Sequence, residues 1–188
     1  MELEKPLLIL VTGKPATGKT FFAKLLSERF NLPVISKDAI KEILFDTLGT
    51  GDREWSKKLG KSTFAIMDAF LESELKASHS CILESPLNPE FENEKFKRLQ
   101  SKYDFSAVQI IFHTNPDVLF DRFKRRAETA ERHSGHDELN NLDEFKQSLS
   151  TESNEVIAIN SEIFTIDTTD LSNVDYEPVI SYLNSLSM

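Results

Sequence analysis

Hydrophobic positions along the chain fall into two alternating patterns. Short apolar runs occur at residues 7–12 (LLILVT), 33–36 (PVIS), 80–84 (SCILE), 106–112 (SAVQIIF) and 162–167 (EIFTID). The first has no polar alternation, as a strand covered on both faces requires. Between these runs lie longer segments with apolar residues three and four apart. Residues 20–30 carry Phe22, Leu25, Leu26 and Phe30 in that spacing, and residues 54–76 carry Phe64, Met67, Phe70, Leu71 and Leu75. Helices are predicted there and at 39–48, 90–102, 116–131 and 176–186. Pro116 falls in the first turn of its helix, where a missing N–H costs nothing. Strands joined by helices of this length need crossover connections. The expected fold is therefore α/β: a five-stranded parallel sheet with helices on both faces. Two segments fit less well, a helical insert at 39–78 and a polar stretch at 127–142. Both are expected as mobile elements over a cleft, within a single domain spanning 1–188.

Composition narrows the function classes. The chain has 188 residues, 39% of them hydrophobic and 28% charged, which suits one folded domain and excludes a disordered chain. Fourteen Phe against one Trp and three Tyr predict an aromatic core. The one cysteine, Cys81, excludes an internal disulfide and a Cys-based zinc cluster. The formal charge of -9 is unevenly placed: residues 1–137 are balanced, whereas residues 138–188 hold ten acids and only Lys146. Such a balance argues against wrapping a long nucleic acid or lying on an anionic membrane. It leaves the acidic excess away from most of the candidate chemistry. The apolar run at 7–11 falls far short of the about 20 residues a bilayer span needs. Glu2 and Glu4 precede it, where a secretion signal would be basic. A cytoplasmic location is expected, without membrane partners.

The strongest chemical signal is Gly13-Lys14-Pro15-Ala16-Thr17-Gly18-Lys19-Thr20. It matches G-x-x-x-x-G-K-[ST], the Walker A phosphate loop, and it lies directly between a buried strand and a helix, as the motif requires. Gly13 and Gly18 permit backbone angles closed to other residues. The intervening amides then turn inward around phosphate oxygens, Lys19 brings an ammonium to the β- and γ-phosphates, and Thr20 offers a hydroxyl to Mg²⁺. The helix start aims its positive end at the same anion, and Phe21 follows there. ATP and Mg²⁺ are the cofactors this loop predicts. A GTPase reading is set aside because no Asn-Lys-x-Asp occurs. An ABC-type signature is also absent.

The chain resembles the P-loop kinases that phosphorylate small molecules or nucleic acid ends, among them chloramphenicol phosphotransferase, zeta toxin and polynucleotide kinase. Three places carry the resemblance: the loop itself, Ile35-Ser36-Lys37-Asp38 at the end of the second strand, and an arginine-rich helix and lid. The last runs from Asn115-Pro116-Asp117 through Arg122, Arg125 and Arg126 to Arg132-His133-Ser134-Gly135-His136. It implies a three-layer P-loop NTPase fold in which 39–78 is an acceptor-side insert and 127–142 is the lid. It also implies that Asp38 orients an acceptor hydroxyl and takes its proton, Arg126 meets the transferring phosphate, and Arg122 packs on adenine. The resemblance also implies that the turn at 168–170 lies where this fold often contacts adenine. Glu84 ends the third strand, where the group usually has Asp holding a Mg²⁺-bound water, and Ala16 stands where it usually has Gly. Each position has a plainer reading. Asp38 can be an N-cap for a helix starting at Ala39, and Glu84 can bond backbone amides only. The arginines, and Arg53, Lys57, Lys58 and Lys61 in the insert, can be solvated faces. His133 and His136 lack further ligands for a metal. Cys81 is expected as inert core.

The expected function is an ATP-dependent phosphotransferase acting on a hydroxyl of a small molecule. A nucleoside monophosphate or polynucleotide-end kinase, or a non-catalytic nucleotide-binding regulatory module, remains the alternative. Nucleic acid is the less favoured partner, and the oligomeric state is left open.

Overall fold

The computed structural model describes residues 5–129, 132–136, 138–150 and 155–186. Along the chain run β1 (Leu7–Gly13), α1 (Lys19–Phe30), β2 (Val34–Ser36), α2 (Lys37–Leu48), α3 (Arg53–Lys76), β3 (Cys81–Glu84), α4 (Pro89–Lys102), β4 (Ser106–His113) and α5 (Pro116–Ala127). Two 3₁₀ turns, Ser134–His136 and Glu138–Asn141, lead into α6 (Leu142–Leu149), then β5 (Glu162–Asp167), a third 3₁₀ turn and α7 (Glu177–Ser185). All five strands are parallel, in the order β2-β3-β1-β4-β5, so the strand before the phosphate loop is the middle one.

The continuous apolar run of β1 has the two-sided burial it predicts. Leu7, Ile9 and Val11 face one core, packed with Phe22 and Leu26 of α1 and Val179, Ile180 and Leu183 of α7. Leu8 and Leu10 face the other, with Met67, Leu71 and Leu75 of α3 and Phe96 and Leu99 of α4. A period of two thus serves two apolar layers at once. The same packing shows that α3 is only half an insert. Its second half covers the sheet as a crossover helix, while α2 and the first turns of α3 project over the carboxyl ends of the strands.

Three local differences from the sequence reading have physical causes. Helix α2 begins at Lys37, two residues earlier than expected, because Ser36 is its N-cap and accepts from Ala39 N at 3.5 Å. Asp38 is therefore not a cap. Helix α5 ends at Ala127 instead of reaching 131, a position that with 130 lies outside the described residues. Helix α6 has no counterpart in the prediction. Its Phe145 stacks on Phe123 of α5 at 3.9 Å between ring centroids, closing a third small core with Leu119. Residue 137 of the expected lid lies outside the described residues, as do residues 1–4, 151–154 and 187–188. Among the described residues no helix is long and apolar enough to cross a membrane.

Candidate active site

The loop between β1 and α1 is shaped by backbone constraints. Gly13 sits at φ +148°, and a Cβ there would lie 2.7 Å from the Phe112 carbonyl oxygen. Gly18, at φ +88°, caps α1 without a side chain. The first amides of α1 are thereby left without a side-chain acceptor, as an anion site requires. Ala16 also has a positive φ, 68°. That accounts for glycine being usual at this place in the kinases the loop resembles. The loop is pinned from below: Thr17 Oγ1 donates to the Lys14 carbonyl at 2.9 Å, and Thr168 Oγ1 donates to the Thr17 carbonyl at 2.9 Å. Lys14 Nζ reaches the Ser148 carbonyl of α6 at 2.7 Å. Pro15 lines the cleft, whereas Phe21 points outward and is 63% exposed. Lys19 is buried, with Nζ 3.4 Å from the Lys14 carbonyl and 3.8 Å from Glu84. Burial lowers its pKa, opposed by the charges of Glu84 and Asp38. A buried ammonium beside a cradle of open amides, with no room at Gly13 for even a methyl group, fits nucleotide phosphates.

The carboxyl ends of β1, β3 and β2 bring an oxygen cluster to the same point. Val11, Glu84 and Ser36 pair across the sheet in one row. Glu84, 1% exposed, accepts from Thr20 Oγ1 at 3.2 Å and from Ser36 Oγ at 2.6 Å. It is therefore more than an acid bonded to backbone amides. Two hydroxyls and a carboxylate are a hard oxygen donor set, the kind Mg²⁺ takes. Thr20 and Glu84 are the residues that would hold it.

Facing the loop is a network of ion pairs. Arg132 donates to Asp38 Oδ2 at 2.7 Å, to Glu42 Oε1 at 3.1 Å and to Glu138 Oε1 at 3.1 Å. Lys37 also reaches Asp38, at 3.2 Å. Burial would raise the Asp38 pKa, but the Lys37 and Arg132 cations and the Arg132 hydrogen bond outweigh it and hold the carboxyl well below its ordinary value. Arg126 donates to both Glu138 oxygens, at 2.5 and 3.1 Å. His136 Nε2 lies 2.9 Å from Glu42, and His133 Nε2 lies 3.0 Å from Asp46. Burial first, then the Arg132 charge, pushes His136 down to about 3 against the pull of Asp38, so the ring is neutral near pH 7. The two imidazoles flank Phe45 of α2, one stacked at 5.6 Å and one edge-on at 5.5 Å. Gly135 lies so close that a Cβ would be 2.5 Å from the Phe45 ring. The two histidines thus dock the 132–136 segment onto α2. Among the described residues no cluster of three or more His, Cys, Asp or Glu is arranged to hold a metal.

Loop and network border an open cleft of about 370 Å³, lined by Lys19, Lys37, Asp38, Arg53, Arg132 and Glu138 among others. A larger cavity, about 760 Å³, opens at the other ends of the strands beside Lys5, Asn31 and His79 and holds none of the candidate residues. Arg122 lies outside the Arg132 network. Its guanidinium donates to the carbonyls of Thr168 and Thr169, at 2.6 and 2.9 Å, on the turn after β5. Arg125 is exposed, Lys57 pairs with Glu54, and Lys58 stands over Trp55, so these three take the solvated reading. Arg53 does not. It binds Glu144 of α6 with distances of 2.7 and 2.6 Å and lines the cleft. Glu138 and Glu144 thus return two of the ten late acids to the cleft, which corrects the expectation that they stay away from it. Glu42, Phe45, Glu138 and Glu144 were not singled out from the sequence.

Known proteins agree with this architecture. A family model described as an AAA domain matches residues 8–151, which span β1 to the end of α6. A crystal structure of a “putative kinase” from Chloroflexus aurantiacus superposes with a TM-score of 0.86 at 30% identity, covering 97% of this chain and 98% of that one. A sugar kinase from a Janibacter species shares the fold, with a TM-score of 0.55 at 14% identity, covering 97% and 94% of the two chains. A UPF0200 protein of Saccharolobus islandicus is 26% identical over 164 residues, 85% of this chain and 84% of its own length. With the glycine-shaped loop on the middle strand and a family match over three quarters of its length, the chain belongs to the AAA domain family, in its P-loop kinase-like form.

Proposed function

We propose that the chain is an ATP-dependent kinase that transfers the γ-phosphate to a hydroxyl of a small molecule. The observation that carries this reading is that Lys19 and Asp38 line one cleft, approached from the phosphate-loop side and the α2 side respectively. Transfer needs a cation where phosphate charge develops and a carboxylate where a hydroxyl must be aimed. The acceptor oxygen bonds to the γ-phosphorus as the bond to the β–γ bridging oxygen breaks, and Asp38 takes the hydroxyl proton. Asp38 is a poor base while it holds Arg132. An acceptor hydroxyl that displaces Arg132 restores its basicity and frees Arg132 for the phosphate. Arg126, fixed by Glu138, is the second cation available to the transferring group. Arg122 lies at the turn after β5, on the side assigned to adenine. Mg²⁺ held by Thr20 and, through water, by Glu84 would offset phosphate charge. The lid, whose residues 132–136 dock on α2 through Phe45, would exclude the water that could otherwise hydrolyse ATP. The acidic excess of residues 138–188, two of whose acids border the cleft, favours a small acceptor over a polynucleotide end, and the Chloroflexus relative bears the name of a kinase.

Replacing Asp38 by Ala tests this. Phosphotransfer, read as acceptor-dependent ADP release across a library of hydroxyl compounds, is expected to fall about 10²–10⁴-fold while ATP binding persists. Unchanged transfer would remove Asp38 from the mechanism. No transfer by the wild-type chain to any member would favour a nucleotide-binding regulatory module.

A further inference from the structure

Around the α2–α3 wall of the cleft, four carboxylates meet the four cations Lys37, Arg53, Arg126 and Arg132, and a fifth cation, Lys41, stands beside them. Asp38 is shared by Arg132 and Lys37, Glu42 is met by Arg132 and by the neutral His136 ring, Glu138 is shared by Arg126 and Arg132, and Glu144 is taken by Arg53. Lys41 is left over. Among the described residues it meets no carboxylate within 4.0 Å; its Nζ instead reaches Ser56 Oγ at 3.0 Å and stands 5.2 Å from the Phe45 ring centroid. Lys41 follows Lys37 by one turn of α2, and Ser56 follows Arg53 by one turn of α3. The unpaired ammonium therefore lies directly behind the two cations that line the cavity. A half-buried charge in this position is costly unless something of opposite sign completes it. Its pKa reflects the crowding. Burial, then the Lys37 charge, with Asp38 opposing and Arg53 and Arg132 adding, pushes Lys41 down to about 8.

We infer that the acceptor is itself an anion, a small hydroxylated carboxylate or phosphate ester, whose charged group sits between Lys37 and Arg53 with Lys41 behind them. This deepens the kinase reading and rests on it, since Asp38 then holds the hydroxyl and Lys37, its neighbour, holds the charge. One end of the acceptor is aimed at the phosphate loop while the other is fixed on the insert. A neutral polyol would leave the cation excess unmet.

The test uses the full chain saturated with ADP, so that the phosphate loop is filled and cannot report on added anions. Glycerol is compared with glycerate and glycerol 3-phosphate, and glucose with gluconate and glucose 6-phosphate, by thermal shift and calorimetry at constant ionic strength. The anionic members are expected to bind at least about tenfold more tightly than their neutral parents. A response to carboxylates alone names a hydroxy acid, and a response to phosphates alone names a phosphate ester. Lys37→Met is expected to abolish the preference, Lys41→Met to weaken it several-fold, and Lys57→Met, on the solvated face, to leave it intact. Equal binding of neutral and anionic members overturns the assignment, as does a preference that survives both Lys37→Met and Lys41→Met. Failure of ADP itself to bind defeats the kinase reading. Bound ADP with no anion preference defeats only the inference drawn from Lys41.

Discussion

The phosphate loop and the Arg132 network face each other across one cavity, but they are built by different means. The loop is made from backbone. Gly13 and Gly18 take angles other residues avoid, Thr17 and Thr168 pin carbonyls, and its buried lysine, Lys19, reaches only the Lys14 carbonyl and, at 3.8 Å, Glu84. The network is made from side chains. Arg126, Arg132, His133 and His136 come from one stretch of chain, and Asp38, Glu42 and Asp46 come from another. A backbone cradle holds its shape whether or not ligand is present. A network of ion pairs has alternative partners, so it can exchange them when a substrate enters. One side of the cleft is thus a fixed socket and the other an exchangeable clasp.

The largest effect should come from Lys19→Met. Loss of this cation is expected to lower ATP affinity about 100-fold, since truncating one partner of a buried charge pair costs about 2–5 kcal/mol of binding. Because the lysine is buried at a cost, the melting temperature should hold or rise. A titration with labelled nucleotide and a thermal melt read the two halves of this claim. A marked fall in melting temperature would mean that a side chain holds the socket together and would erase the contrast. Next is Gly135→Ala. The added Cβ meets the Phe45 ring, and overpacking of this kind costs about 1–3 kcal/mol. Amide hydrogen exchange at residues 132–136 should quicken while β1 and β4 keep their protection. Equal slowing or quickening in both places would show that the clasp is not separable from the sheet. The smallest is Ala16→Gly. A non-glycine residue at positive φ is strained by about 1 kcal/mol, and glycine's greater unfolded-state entropy returns part of that, so a net gain near ~0.5 kcal/mol is expected in denaturant unfolding. A loss would show that the Ala16 methyl, which packs on the Leu119–Phe123–Phe145 core, outweighs the backbone strain.

The contrast also explains what could be read from the sequence. The socket is local: strand, glycines, lysine and helix follow one another, so Gly13 to Thr20 declare their geometry in order. The five strands were legible for the same reason, each being a short run with its own pattern. The clasp is not local. Arg132 and Asp38 are 94 residues apart, and Arg53 and Glu144 are 91 apart, so their pairing exists only after folding. Asp38 was legible because it follows a strand end. Glu138 was not, because an acid in a polar stretch has the same sequence signature whether it is solvated or buried beneath two arginines. Helix α6 escaped notice because its eight residues offer only Leu142, Phe145 and Leu149 as a pattern, too few to separate a helix from a loop.

Cys81 has a practical consequence. It is the chain's one thiol, enclosed in β3, and burial pushes its pKa up to about 12. Thiolate is the reactive species, so this sulfur is silent toward maleimides and disulfide reagents at neutral pH. The natural chain therefore serves as its own blank for thiol labelling. A cysteine placed at exposed Ser134, between the two histidines, would carry a single fluorophore on the clasp. The partner exchange proposed for Arg132 could then be sought in solution, in a protein otherwise unaltered.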